Sequence, residues 1–230
     1  MKKIAVVTAL LMSASAAPAF AGIGDTVTFK FDLPATASFS SGYPTVAELK
    51  LTETASGVVT FELIPNWSSP GFKDPADSTV NHLEFVYQGP ASPTFAQPAI
   101  HGADIKTFTY HTNPNMDAGY KSDDQYISID WFKPNDAERF DGDYANSIWT
   151  ISGTGVDITD FTGTLAHPDA PKPDPIFGII SVDPYALKDL KPTPSNWVAS
   201  PVSPVPEPET YAMLLVGLGL LGFSLRNKKA

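Results

Sequence analysis

The chain has 230 residues, no cysteine and a formal net charge of −10. Its 43% hydrophobic and 17% charged composition excludes both an acidic disordered chain and a polytopic membrane protein. The missing cysteine removes disulfides, zinc ribbons, iron–sulfur sites and thiol nucleophiles together, and the acidity argues against a nucleic-acid partner.

The first element is an export signal. Lys2 and Lys3 form a basic start, Ile4–Met12 is a nine-residue apolar run, and small residues lead to Ala19-Phe20-Ala21. Small side chains at Ala19 and Ala21 fit the −3 and −1 positions of a signal peptidase site, so residues 1–21 read as a signal peptide. The implied partners are signal peptidase and the general secretion machinery. An oxidising compartment permits disulfides, yet this chain has none to form and must be held by its core alone.

The body that follows is predicted to be all-β. Residues 22–204 carry 23 acidic and 10 basic residues, a net charge of −13. Alternation marks the strands. Residues 26–33 place Val27, Phe29, Phe31 and Leu33 on one face, and 47–53 place Ala47, Leu49 and Leu51 on one face. Residues 58–64 follow the turn signal Ala55-Ser56-Gly57, so 47–53 and 58–64 form a hairpin. Further strands are expected at 82–88, 105–110, 125–131, 147–152 and 176–182. Prolines interrupt every stretch where a long helix would fit. Eight antiparallel strands separated by turns predict a β-sandwich over residues 22–183, jelly-roll-like in arrangement. Beyond Ser181 the alternation fades and prolines recur, which predicts an extended linker over 184–204.

Candidate chemistry within the body is sparse, and no catalytic residue stands out. Carboxylates concentrate at Asp136, Glu138, Asp141 and Asp143, a candidate calcium loop, since calcium takes six to eight oxygens from flexible loops. The spacing matches neither an EF-hand nor a nonapeptide repeat, and solvated turn residues are the competing reading. Of the four histidines, His82 falls within a strand; His101 and His111 flank another, with no third ligand in view. Trp131 and Trp149 alternate with isoleucines and are assigned to the core. Trp67 and Trp197 sit among Pro, Ser and Asn, and are the candidates for an exposed sugar-binding face.

The last segment is a second address. Val205-Pro206-Glu207-Pro208 is followed by the glycine-rich apolar run 211–225 and by Arg226, Lys228 and Lys229. As a helix, 15 residues span about 22 Å, short against a hydrocarbon core of about 30 Å. The basic tail stays cytoplasmic by the positive-inside rule and anchors the topology. Pro-Glu-Pro, a short glycine-rich helix and a basic cluster in series resemble the PEP-CTERM sorting domain of Gram-negative bacteria, here over residues 205–230. Tyr211 stands where tryptophan is frequent in that family. The order of β phrases, among them His82-Leu83-Glu84-Phe85 and Ile151-Ser152-Gly153-Thr154-Gly155, is loosely similar to PEP-CTERM proteins with one small β domain. The resemblance implies recognition by an exosortase, with cleavage near Pro206-Glu207-Pro208. It implies a transient inner-membrane anchor through a helix at about 211–225, then a cell-surface or extracellular-matrix location associated with exopolysaccharide or biofilm. The expected protein is non-enzymatic and needs no cofactor. The alternatives are a carbohydrate-binding module for the matrix polysaccharide and a secreted hydrolase.

Overall fold

The computed structural model describes residues 22–34, 44–69, 78–113, 115–117, 125–131, 140–163, 176–182 and 196–201. They form two antiparallel sheets with no α-helix among the described residues. The strands are β1 (Thr26–Phe31), β2 (Leu33–Pro34), β3 (Ala47–Ala55), β4 (Val58–Pro65), β5 (Thr79–Tyr87) and β6 (Thr94–Ala96). They continue with β7 (Thr107–His111), β8 (Gln125–Asp130), β9 (Phe140–Asp141), β10 (Ser147–Ser152), β11 (Ile176–Val182) and β12 (Asn196–Pro201). One sheet has the order β1-β3-β4-β10-β6. The other has the order β2-β12-β11-β5-β8-β7, with β9 paired to β5 beside this path. Seven of the eight expected strands are present as single strands, the eighth is divided between the sheets, and the fold is the expected all-β sandwich.

The hairpin β3–β4 forms as its alternation predicts, with Leu49 opposite Leu63 and Leu51 opposite Phe61. All four side chains are buried. Its turn depends on Gly57, whose φ of +75° suits a residue without a side chain. A Cβ there would meet the Gly153 carbonyl oxygen at 2.6 Å, and the Gly57 carbonyl accepts a hydrogen bond from Gly153 N at 3.0 Å. The hairpin tip is therefore tied to the turn that leaves β10.

Aromatic rings fill the space between the sheets. Phe29 of β1 stacks on Phe177 of β11 with centroids 3.6 Å apart. Phe61 of β4 stacks on Phe85 of β5 at 5.4 Å and meets Phe161 edge-on at 4.9 Å. Phe161 belongs to a single-turn 3-10 helix, Ile158–Phe161, whose Asp157 and Asp160 form a reciprocal capping box. Trp149 and Trp131 are both fully enclosed, as their alternation predicts. The Trp131 indole donates to Ser147 Oγ at 2.9 Å, and that hydroxyl donates to the Ala103 carbonyl at 2.8 Å. The Trp131 N–H thus has a partner, whereas the Trp149 indole N–H has none among the described residues.

The structure departs from expectation in three respects. Residues 26–33 are not one strand: Phe29 and Phe31 enter the main core, but the chain switches sheets at Asp32, and Leu33 pairs with Ala199 of β12. Its side chain packs on a separate apolar cluster. Two strands that the alternation does not announce, β6 and β9, are too short to show a period. The largest correction concerns the linker. Residues 196–201, placed in the 184–204 linker by their prolines, are strand β12, hydrogen-bonded between β11 and β2. Trp197, Val198, Ala199 and Ser200 are all buried. A strand covered on both faces has no polar side to alternate, so its pattern is silent.

Two outcomes follow from this packing. Phe61→Ala should cost about 3–5 kcal/mol in chemical denaturation, the range for truncating a core phenylalanine. Ile100→Ala, at a side chain 87% exposed, should change stability by less than about 0.5 kcal/mol. Residues 22–204 should unfold in one cooperative transition followed by circular dichroism, whereas residues 22–183, which lack β12, should not. A cooperative 22–183 fragment would mean that β12 is dispensable to the sheet.

Candidate functional site

Alternation along β5 and β8 sorts their side chains. Leu83, Phe85, Ile127 and Ile129 point into the sandwich and belong to its core. His82, Glu84, Tyr126, Ser128 and Asp130 therefore lie on the opposite face of the seven-stranded sheet. Register places His82 opposite Asp130, Glu84 opposite Ser128 and Tyr126 opposite His111. This face holds a second apolar cluster, formed by Val86, Met116, Tyr126, Ile176, Ile179 and Trp197 with Ala199.

A polar network is set beside that cluster. His82 Nδ1 is hydrogen-bonded to Asp130 Oδ1 at 2.5 Å, and the edge of Trp197 meets the His82 ring, with centroids 5.6 Å apart. Glu84 Oε1 lies 3.2 Å from His82 Nε2, an ion-pair distance, but His82 Nε2 makes no hydrogen bond. Glu84 is only 4% exposed, and its Oε2 accepts from the Asp117 backbone N–H at 2.8 Å. His111 stacks on Tyr126 at 4.2 Å and contacts Ser128 Oγ through Nε2 at 2.8 Å. The Tyr126 hydroxyl donates to the Asn115 carbonyl at 2.8 Å. The 115–117 segment is thus held to the sheet by Tyr126 and Glu84.

The electrostatics differ between the two histidines. Burial by itself would lower the His82 pKa; the Asp130 hydrogen bond and the nearby Glu84 carboxylate outweigh it and push the pKa up to about 9. Burial lowers the His111 pKa, outweighing the attraction of Glu84, so His111 is neutral at pH 7. The Tyr126 hydroxyl is pushed up to about 12, first by burial and then by Glu84 and Asp117. Among the described residues, the group suited to hold a metal is His82, Glu84 and Asp117.

Sequence reasoning missed this network. It read His82 and Glu84 only as part of a strand. The available signal was the polar face of His82-Leu83-Glu84-Phe85, but nothing in that face names Asp130 or Asp117 as partners. Trp197, expected to be exposed, is only 6% exposed, because it packs into the apolar cluster of the outer face. Trp67 is half-buried; its indole donates to the Tyr144 carbonyl at 2.9 Å, and its ring meets Phe140 edge-on. Trp197 is thus enclosed, while Trp67 stays partly exposed. Asp141 Oδ1 accepts the Asp143 backbone N–H at 3.1 Å, closing a turn, while Asp136 and Glu138 lie outside the described residues. His101 contacts Asp104 and the Pro98 carbonyl, both three residues away, and is not part of the His82 network. Ala19, Ala21, Val205, Pro206, Glu207, Pro208, Arg226, Lys228 and Lys229 also lie outside the described residues.

The family description "PEP-CTERM protein-sorting motif" matches residues 204–229. The chain carries a PEP-CTERM sorting motif. The matched span contains the Pro206-Glu207-Pro208 triplet, the apolar run and the Arg226, Lys228 and Lys229 cluster. A PEP-CTERM motif marks an exported protein for an exosortase, its processing partner. No curated protein and no solved structure matches the chain. No helix among the described residues is long and apolar enough to cross a membrane; the PEP-CTERM run at 211–225 lies outside them.

The His82 network predicts a pH dependence. A folded-state pKa of about 9, above the ordinary 6.5, contributes stability that is fully present below pH 6.5 and lost as pH rises through 9. In chelating buffer, the denaturation midpoint should fall across that interval. His82→Gln should flatten this part of the profile. An unchanged slope in His82→Gln would assign the dependence to other groups.

Proposed function

We propose that the protein is a non-enzymatic, exported β-sandwich, processed by an exosortase and displayed at the cell surface or in the extracellular matrix of a Gram-negative bacterium. The observation that carries the reading is the PEP-CTERM motif at residues 204–229. On this reading residues 1–21 direct export and are removed after Ala21. The 211–225 segment then holds the chain transiently in the inner membrane. Arg226, Lys228 and Lys229 keep the tail on the cytoplasmic side, and cleavage near Pro206-Glu207-Pro208 releases or transfers the folded body. Exopolysaccharide is the proposed surrounding.

A structural role for the body is supported by what its polar groups do. On the outer face His82 is hydrogen-bonded to Asp130, and His111 to Ser128. Ser128 and His111 are in contact, yet Ser128 lies buried within a central stretch of β8, a poor position for a nucleophile that must meet substrate. The body's net charge of −13 opposes edge-to-edge association of the displayed sheets.

Mass spectrometry of the extracellular protein from the native host should find an N-terminus at Gly22 and a C-terminus near Pro206–Pro208. Glu207→Ala, or deletion of 211–230, should alter the mature size or the location. Recovery of protein ending at Ala230 from the matrix would overturn the processing scheme.

A further inference from the structure

The polar network on the outer face contains three donor atoms that converge: one ring nitrogen of His82 and one carboxylate oxygen each from Glu84 and Asp117, all within 4.8 Å of one another. We propose that these three side chains bind a divalent transition-metal ion of the zinc class, and that the ion fastens the 115–117 segment to the sheet. The site goes beyond the sorting function and does not depend on it.

The first argument is the state of the histidine. His82 Nε2 is shut off from solvent and makes no hydrogen bond, while Nδ1 is held by Asp130. A metal-ligating histidine characteristically gives its other ring nitrogen to a carboxylate, which fixes the tautomer and the ring orientation. With the proton on Nδ1 directed at Asp130, Nε2 keeps a lone pair in the neighbourhood of Glu84 and Asp117. Asp130 is then a positioning residue and not a ligand.

The second argument is the placement of Glu84. Its Oε1 is 3.2 Å from Nε2, an ion-pair contact without hydrogen-bond alignment. Two ligands sharing one ion, with bonds of about 2.1 Å at a tetrahedral angle, stand about 3.4 Å apart, and each lies well off the other's metal axis. The pair has the spacing of ligands around a common centre. Glu84 is buried, so a cation at that point also compensates a carboxylate withdrawn from water.

The third argument is Asp117. Its backbone N–H already anchors to Glu84 Oε2, while its side chain is exposed and able to turn. Closing the site falls to this side chain. One imidazole with two carboxylates suits zinc and its neighbours. Calcium, which takes six or more oxygens, is poorly served. Binding replaces any proton on Nε2, which leaves to solvent. Without an ion, the same residues would hold a buried imidazolium between Glu84 and Asp130, and the experiment separates the two arrangements.

The full chain, stripped with EDTA and returned to chelator-free buffer, is titrated with zinc chloride by calorimetry, with manganese and calcium chlorides as comparisons. One zinc per chain is expected, with a rise in melting temperature and weaker binding of calcium. Asp117→Asn should weaken zinc binding at least tenfold while leaving the metal-free melting temperature unchanged. Asp130→Asn should weaken it by about ten- to a hundredfold, the range for an outer-shell carboxylate. His101→Gln, at the separate His101–Asp104 contact, should leave it unchanged. The proposal is overturned if the parent binds no zinc at millimolar concentration, or if binding survives both His82→Gln and Asp117→Asn undiminished. A fall in metal-free stability in His82→Gln, with no effect of zinc on the parent, would assign the network to the buried imidazolium alone.

Discussion

The contact on which the structure depends is the aromatic layer between the sheets. Phe29 against Phe177, and Phe61 against Phe85 and Phe161, join side chains that are distant in sequence. With no cysteine available, no covalent link can substitute for them. Each such ring removes a large apolar surface from water, and paired rings add about 0.5–1.5 kcal/mol beyond that burial. The Trp131–Ser147–Ala103 chain of hydrogen bonds then lets an indole enter this layer without an orphaned N–H. An exported protein that relies on packing alone needs such a core.

The seven-stranded sheet carries buried side chains on both faces. Its inner face contributes to the aromatic layer. Its outer face carries a second apolar cluster and the His82 network. Burial on both sides explains why Glu84 sits where water cannot reach it, and why its carboxylate is engaged by His82 and by the Asp117 backbone. The same burial encloses Trp197, whose edge meets His82. Sorting belongs to the PEP-CTERM segment; the polar network of the body lies on this outer face.

Strand β12 connects the two regions. It is the last described element before the matched motif, and it lies inside the sheet between β11 and β2. The folded body therefore reaches to Pro201, three residues before the motif begins at 204. Little chain separates the packed sheet from the proposed cleavage point. On the proposed processing scheme, the exosortase works close against a folded surface, not at the end of a long spacer.

Much of the protein was legible in its sequence. Period-two alternation located strands such as β3, β4 and β10 because each has one apolar face and one more polar face, and that contrast is local. Ser56-Gly57 announced the hairpin because only certain residues tolerate its turn. Pro206-Glu207-Pro208, the apolar run and the basic cluster are read in order along the chain, so the sorting motif needs no tertiary structure to be seen. The sheet switch at Asp32, strand β12 and the His82 network were not legible. At Asp32 the alternation continues unbroken while its partner sheet changes. In β12 both faces are covered, so no contrast remains. In the network, His82 meets Asp130 across 48 positions and Glu84 meets Asp117 across 33. Strand register decides the first of these pairings and the path of the 115–117 segment decides the second. Such partners are set by which strands lie side by side, and that order is fixed only when the whole chain packs.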